Sequence, residues 1–356
     1  MNQVFYVKEY VSPEGTHSDA IERCMAEVKA SDGEKTVVFD GMDFEIDRAV
    51  LVPCDTAVLI DNCAVKQKPL VFDNIFRGDN LVINGIDPYG PPVDVTPLRN
   101  VKILGRGSAR ILGTPKPQTA YHPFYKEYQQ MTGDFWGWRT HSISFSFCEN
   151  VEIAGLEISQ TMGWCICFDA SHHCRVHDLE IRSNVKNGDG VNFRSGCHHC
   201  SAENITGYTS DDTVACTALS RGKQPRVLSK YLSVSEPYNS SHESIDGSIH
   251  HIRIRNIFTG GQHHGVICLS AFGNEVYEID VENVRETEEG SREATVKVYT
   301  GYGDGYHKGD IHDVRISGVT SKMAKYAVML ACEAEKLSVE GIQQHNPEGI
   351  PFFEKK

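Results

Sequence analysis

The sequence has no long apolar run and no excess of positive charge. No stretch approaches the ~18 apolar residues of a membrane-spanning helix, and its start, MNQVFYVKEYVSPEG, does not resemble a secretory leader. Lys and Arg number 35 against 48 Asp and Glu, so the net charge is -13. The scattered basic residues lack the electrostatic footprint of a nucleic-acid binder. We therefore expect a cytoplasmic protein with no membrane or nucleic-acid partner; the sequence does not indicate its oligomeric state.

Helical patterns are scarce as well. The segment THSDAIERCMAEVKA is the one good amphipathic helix, with apolar residues at i, i+3, i+4 and i+7: Ile21, Cys24, Met25 and Val28. Thr16 and Asp19 resemble a capping box at its start. A doubly wound α/β fold needs a helix between successive strands, so this fold class is disfavoured.

Twelve cysteines could indicate disulfides in a secreted chain. Most of them, however, lie within apolar, strand-like runs, among them Cys165, Cys167, Cys216, Cys268 and Cys332. A reduced cysteine in such a run behaves as a small buried hydrophobe. We expect free thiols.

What the sequence does contain is a repeat of roughly two dozen residues. Aligning Asn150, His173, His199 and His251 gives steps of 23, 26 and 52 residues, the last being two periods or one period with an insertion. Each copy alternates apolar and polar residues between Asn, Asp and Gly turns. This pattern predicts an all-β, right-handed parallel β-helix, whose coils stack at about 4.8 Å.

The repeat also predicts the domain boundaries. Residues 1–34 form an N-terminal cap, in which the helix covers the open edge of the first coil. Residues 35–346 form the β-helix, with loop insertions at about 114–138 and 219–248, and residues 347–356 form a C-terminal tail. Insertions into stacked coils become surface loops, which commonly carry function.

Charged residues precede the second strand of several copies. Asp189 lies between two glycines in NGDGVNF, Asp211 and Asp212 follow in SDDTVAC, and the next positions hold His263 and His264, with Lys297 in the following run. Stacking would bring these residues onto one patch. Because clustered carboxylates shift one another's pKa, such a patch can hold a protonated acid beside an ionised base, as glycosidases require.

The order of these motifs resembles the polygalacturonase family of glycoside hydrolases, family 28, which are right-handed parallel β-helices. Asn187-Gly188-Asp189 is similar to the family's Asn-Thr-Asp motif and Asp211-Asp212 to its Asp-Asp pair. His263-His264-Gly265 is similar to its Gly-His-Gly motif, and Thr295-Val296-Lys297 to its Arg-Ile-Lys motif. The segments THSDAIERC and DFWGWRTHSISFSFCENVEI also resemble family stretches.

The resemblance implies an inverting hydrolase of plant-type oligosaccharides, such as a galacturonide, that needs no cofactor or metal. Asp211 would be the general acid, Asp189 and Asp212 would hold and deprotonate the attacking water, and His264 would support the protonation of the acid. The substrate would be bound by Asn187, His263, Lys297, Tyr299, Tyr302, Trp136, Trp138 and Arg139. The spacing of neighbouring coils, taken alone, would instead suit a retaining enzyme.

One departure from the family bears on the substrate. Thr295 replaces the family's arginine, whose planar fork suits a uronate carboxylate, so a neutral sugar is also open. The insertion at 219–248 would close one end of the cleft and favour exo attack.

Two other functions remain open. One is a β-helix lyase or epimerase, in which carboxylates hold Ca²⁺ and Lys297 abstracts a proton. The other is a glycan-binding β-helix without catalysis.

The motif CHHC at residues 197–200 could suggest zinc. We do not expect a metal there, because no second ligand pair accompanies it and neighbouring residues on a strand point to opposite faces. Paired histidines recur at 172, 198 and 250 in the same phase of the repeat. This recurrence predicts a stacked ladder at a turn.

Overall fold

The regular secondary structure of the described residues is nearly all β-strand. A computed structural model describes residues 2–71, 73–83, 92–114, 118–122, 127–131, 141–219, 246–301 and 305–355. One 3-10 helix spans Val7–Tyr10 and one α-helix, α1, spans His17–Ala30 in this part of the chain. The strands are β1 (Gln3–Tyr6), β2 (Lys35–Asp40), β3 (Phe44–Ile46), β4 (Val50–Val52), β5 (Thr56–Asp61), β6 (Ala64–Gln67), β7 (Phe76–Gly78), β8 (Leu81–Ile83), β9 (Pro92–Val95), β10 (Leu98–Arg106), β11 (Arg110–Leu112), β12 (Gln118–His122), β13 (Glu127–Met131), β14 (Ile143–Ser146), β15 (Cys148–Ala154), β16 (Glu157–Ser159), β17 (Ile166–Asp169), β18 (Arg175–Ser183), β19 (Val191–Arg194), β20 (His198–Thr209), β21 (Val214–Ala218), β22 (Ile249–Gly261), β23 (His264–Ser270), β24 (Val276–Glu286), β25 (Ala294–Thr300), β26 (Ile311–Ser321), β27 (Tyr326–Ala331), β28 (Ser338–Glu340), β29 (Gln343–Gln344) and β30 (Ile350–Glu354).

Two long parallel sheets run the length of the molecule. The first sheet has the order β1-β2-β5-β10-β15-β18-β20-β22-β24-β26-β28, and the second has the order β4-β7-β14-β17-β19-β21-β23-β25-β27-β30. The short strands β3, β6, β11 and β16 pair in series and join the first sheet at β18. Neighbouring strands in each sheet come from successive coils. The expected right-handed parallel β-helix with an N-terminal capping helix is confirmed.

Left-handed turn residues bend the long strands of the first sheet. Asn204, Asn256 and Asn283 have φ of 55°, 54° and 58°, a conformation that asparagine tolerates better than most residues. Their amides form a column: Asn256 Nδ2 donates to Asn204 Oδ1 at 2.9 Å, and Asn283 Nδ2 donates to Asn256 Oδ1 at 2.6 Å. Each coil is thus tied to its neighbour at an exposed corner.

The interior is a continuous apolar column. Phe145, Phe168 and Phe193 occupy equivalent positions of three successive strands and stack with ring centroids 6.3 and 5.8 Å apart. All twelve cysteines are free, and ten of them are buried. The expected reduced thiols are therefore what the structure contains.

The helix α1 packs onto the first coil. The Thr16 hydroxyl accepts from the Asp19 backbone N–H, and the Asp19 carboxylate accepts from the Thr16 N–H, so the predicted capping box is present. The four apolar residues of its stripe are buried in one core cluster with Phe44, Ile46 and Val50. No helix among the described residues is long and apolar enough to cross a membrane.

The strands extend beyond the predicted limits of the β-helix at both ends. The strand β1, within the predicted cap, pairs with β2. The strand β30, within the predicted tail 347–356, pairs in parallel with β27, so that segment continues the second sheet and is not a free tail. Of the predicted insertions, 114–138 contributes the antiparallel pair β12 and β13, and residues 220–245 lie outside the described residues.

Candidate active site

The register of the second sheet places three site residues in one column. Val191, Val214 and Val266 pair across β19, β21 and β23, and Asp189, Asp212 and His264 each precede one of these valines by two residues. The backbone continues this alignment, because Gly190 N–H donates to Asp212 O at 2.9 Å and Thr213 N–H donates to His264 O at 3.0 Å. All three side chains are buried, with 5%, 9% and 4% of their residues' surface exposed.

The glycine after Asp189 permits this close stacking. A Cβ atom at Gly190 would lie 2.4 Å from the backbone oxygen of Thr213 on the next coil. The Asp-Gly pair of NGDGVNF therefore combines a buried carboxylate with a position that has no room for a side chain.

His264 is held between two carboxylates. Its Nδ1 lies 2.6 Å from Asp212 Oδ1, and its Nε2 lies 3.0 Å from Glu293 Oε2. Burial lowers the pKa of His264, but the charge and hydrogen bond of Asp212 and the hydrogen bond of Glu293 outweigh burial, so the pKa is raised above its usual value. The imidazolium can donate to both carboxylates. The resemblance implied support of Asp211, whereas both ring nitrogens of His264 have other partners.

Glu293 is a site residue that the sequence analysis missed. Its Oε2 also accepts from Lys297 Nζ at 2.6 Å, and the hydrogen bond from His264, followed by that from Lys297, lowers the pKa of Glu293 to about 2. The residue stands just before β25, one position before the column of Asp212 and His264. Aligning the repeats one residue earlier would have matched Glu293 with His263 and Asp211.

Lys297 lies on β25 and joins this group from the strand beside His264. Its side chain is 13% exposed, and its Nζ lies 4.9 Å from the ring centroid of Tyr299. Lys297 and Tyr299 are thus neighbours, and Glu293 balances the lysine charge; their substrate-binding role stays a prediction.

Asp211 and His263 form a more exposed pair beside the buried column. His263 Nδ1 lies 3.6 Å from Asp211 Oδ1, and their side chains are 59% and 21% exposed, compared with 12% for Asp212. Asp211 is therefore the more accessible carboxylate of the Asp-Asp pair.

Arg292 is a buried arginine that contacts Thr213, the residue after Asp212. The Arg292 guanidinium donates to the hydroxyls of Thr213 and Thr259, each at 3.1 Å, and its Nε lies 3.6 Å from the buried Glu286 carboxylate. Burial lowers the pKa of Arg292 to about 10 despite the opposing charge of Glu286, so the group stays charged at neutral pH. Its positive charge acts on Asp211 and Asp212.

Buried polar side chains also lie on the outward face of the second sheet, on the strand that follows Asp189. Asn192 and Arg194 alternate with the core residues Val191 and Phe193 and are at most 4% exposed. The Arg194 guanidinium donates to Thr217 Oγ1 at 2.9 Å and lies 4.7 Å from the ring centroid of Trp164. The sequence analysis did not single out Asn192 or Arg194. The sequence signal for these two residues is the alternation of polar with apolar residues along β19.

The remaining predicted residues divide into three groups. Trp136, Trp138, Arg139 and Tyr302 lie outside the described residues. Asn187 is half-buried in a left-handed turn with φ of 52°, and its role stays a prediction. Thr295, at the position of the family's arginine, is 1% exposed and presents no charge to a ligand.

Comparison with solved structures identifies the class of fold. The chain is similar to an exopolygalacturonase from Thermotoga maritima, at 14% identity and a TM-score of 0.59 over 95% of this chain and 79% of that one. It is similar to a polygalacturonase from Erwinia carotovora ssp. carotovora, at 12% identity and a TM-score of 0.59 over 97% and 93%. It is also similar to PfbA, a surface adhesin of Streptococcus pneumoniae, at 10% identity and a TM-score of 0.54 over 98% and 93%.

No family model and no curated protein matches the chain by sequence. At these identities the likeness to solved structures shows a shared parallel β-helix fold.

Proposed function

We propose that this protein is an inverting glycoside hydrolase of the polygalacturonase-like kind, family 28. The observation that carries the proposal is the cluster of Asp189, Asp211, Asp212 and His264 on consecutive coils of the second sheet. A β-helix needs no carboxylates at these positions, and burying several together is costly unless they are paired. The likeness to two polygalacturonases supports the same reading.

The geometry suits different roles for the two neighbouring aspartates, Asp211 as the acid and Asp212 as part of the base. Asp211 is the more accessible carboxylate of the Asp211–Asp212 pair and in our proposal donates a proton to the leaving glycosidic oxygen. Asp212 accepts a hydrogen bond from His264, whose pKa is raised above its usual value. With Asp189, it would orient and deprotonate a water that attacks the opposite face of the sugar.

The charges around the site bear on the substrate. With Thr295 in place of arginine, the cations near the site in the described part of the chain include Lys297, already paired with Glu293, and the buried Arg194 and Arg292. We propose a short plant-type oligosaccharide, a galacturonide or a related sugar, attacked from one end. Cytoplasmic location stays a prediction and agrees with a small substrate.

The test starts with a hydrolysis screen over aryl glycosides and plant oligosaccharides. We expect release of reducing sugar without absorbance of an unsaturated product and without sensitivity to a chelator. Chelator-sensitive formation of a double bond would instead identify a lyase.

The variant Asp211→Asn then tests the acid. It should lose about 10²–10⁴-fold in kcat while retaining sugar binding, the usual contribution of a positioned acid or base. Asp280→Asn, on the first sheet, is the matched control and should retain activity. Full turnover in Asp211→Asn would contradict the assignment.

A glycan-binding role without catalysis is the second candidate, because one similar structure is an adhesin. Saturable binding of an oligosaccharide with no bond cleavage across the whole screen would favour it.

A further inference from the structure

Two adjacent columns of imidazoles lie on the first sheet, away from the candidate active site on the second. His172, His198 and His250 stack with centroids 4.8 and 5.0 Å apart. His173, His199 and His251 stack beside them, at 5.3 and 4.3 Å. The predicted ladder of paired histidines is confirmed.

The two histidines of each pair point to the same side. His173, His199 and His251 have φ of 55°, 54° and 54°, and this left-handed conformation interrupts the alternation of side chains along an extended strand. The Nδ1 atoms of the pairs 172/173, 198/199 and 250/251 consequently lie 2.8, 2.9 and 2.7 Å apart. The expectation that neighbours here point to opposite faces is therefore wrong.

The turn itself does not require histidine. On the two preceding coils the same left-handed position holds Asn100 and Asn150, with φ of 55° and 59°. Asn150 Nδ2 donates to Asn100 Oδ1 at 2.8 Å, so an amide column serves as well. Three successive histidine pairs supply something that asparagine cannot, namely several nitrogen lone pairs at one place.

We propose that His199, His250 and His251 form a binding site for a divalent transition metal of the class that prefers imidazole, with Zn²⁺ as the probe. One ligand atom from each residue lies within 4.8 Å of the others. Zinc binds imidazole nitrogen at about 2.0–2.1 Å in tetrahedral sites, which places ligands about 3.3 Å apart. Small rotations of half-exposed rings reach this spacing.

A carboxylate lies next to one of these histidines. Glu278 Oε2, on the following coil, lies 2.9 Å from His251 Nδ1, and a fourth ligand of this type is common for zinc. At the other end of the columns, Glu149, His172 and His173 form a second close group. It has one imidazole fewer and binds more weakly.

The metal would clamp neighbouring coils. His199 belongs to β20 and His251 to β22, which are adjacent in the first sheet although 52 residues separate the two histidines in sequence. Binding to the folded state alone stabilises it by mass action. This inference does not depend on the proposed hydrolase activity.

The experiment is a Zn²⁺ titration of the full chain against a chromophoric chelator, with Co²⁺ absorption to identify the ligands. We expect one tight site with nitrogen-type d–d bands and no thiolate charge-transfer band. The double variant His199→Asn/His251→Asn keeps a residue that this turn already uses on other coils. It should bind Zn²⁺ at least tenfold more weakly, by analogy with the 10–100-fold cost of losing outer-shell partners.

The control is His312→Asn, a histidine that stacks on Tyr277 and lies beside Asp313. It should bind Zn²⁺ like the unchanged protein. Equal binding by the double variant, a thiolate band with Co²⁺, or no uptake at about 1 mM Zn²⁺ (a free energy near -4 kcal/mol) would overturn the proposal.

Discussion

Replacing Glu293 with glutamine should destabilise the protein more at pH 6 than at pH 9. Glu293 accepts hydrogen bonds from His264 and Lys297. Glutamine keeps the shape and removes the charge. Because the pKa of Glu293 is lowered to about 2, the unchanged carboxylate is ionised over this whole pH range, and the pH dependence comes from His264.

The size of the effect follows from the distance. Two unit charges 3.0 Å apart attract by about 1.4 kcal/mol in a water-like dielectric, which suits a side chain that is 45% exposed. The pKa of His264 is raised in the folded state. The stabilising contribution of His264 is therefore fully present below the histidine pKa of the unfolded state, about 6.5. This contribution is lost as the pH rises through the pKa of His264 in the folded state.

The measurement is urea unfolding followed by circular dichroism at pH 6 and pH 9. The loss in free energy of unfolding should be about 1 kcal/mol larger at pH 6. NMR of labelled histidine, with the His264 signal assigned from His264→Asn, should show a lower pKa in the variant. Glu289→Gln, whose exposed carboxylate lies 3.8 Å from Arg182, is the control. An equal loss at both pH values would refute the reasoning.

Two predictions concern stability alone. Glu286→Gln should cost about 3 kcal/mol in urea unfolding, because the buried carboxylate accepts three backbone N–H bonds and faces the buried Arg292; a loss below about 1 kcal/mol would contradict the ion pair. Gly207→Ala should cost about 1–3 kcal/mol by the same measurement, since its Cβ would lie 1.9 Å from Ile181 O. Gly33→Ala, where nothing lies within 4 Å, is the control for the left-handed backbone and should cost less.

The fold could be predicted because its main determinant is periodic. The spacing of Asn150, His173 and His199 sets the coil length, and the coil length fixes which residues become neighbours. The same period predicts that Asp189 and Asp212 lie in one column. The spacing of apolar residues at i, i+3, i+4 and i+7 predicts the helix α1.

What was missed depends on features that the repeat does not encode. Glu293 lies before the aligned segment that begins at Thr295, so an alignment of the strands does not include it. His198 and His199 point to the same side because the backbone of His199 is left-handed. The alternation of side chains along a strand does not predict this. The strand β30 is the exception: its partner β27 lies about two dozen residues, or one period, earlier, so the repeat does encode this pairing although the predicted tail 347–356 does not include it.

The division of the candidate site over several coils has a consequence for how the site is lost when the protein unfolds. Coils contact mainly their immediate neighbours, so unfolding can begin at one end and spread. Asp189, Asp212, His264 and Glu293 lie at the starts of four adjacent strands in the interior of the second sheet, β19, β21, β23 and β25. Fraying at β4 or at β30 would leave these strands paired, so the candidate site should outlast the first loss of structure on heating.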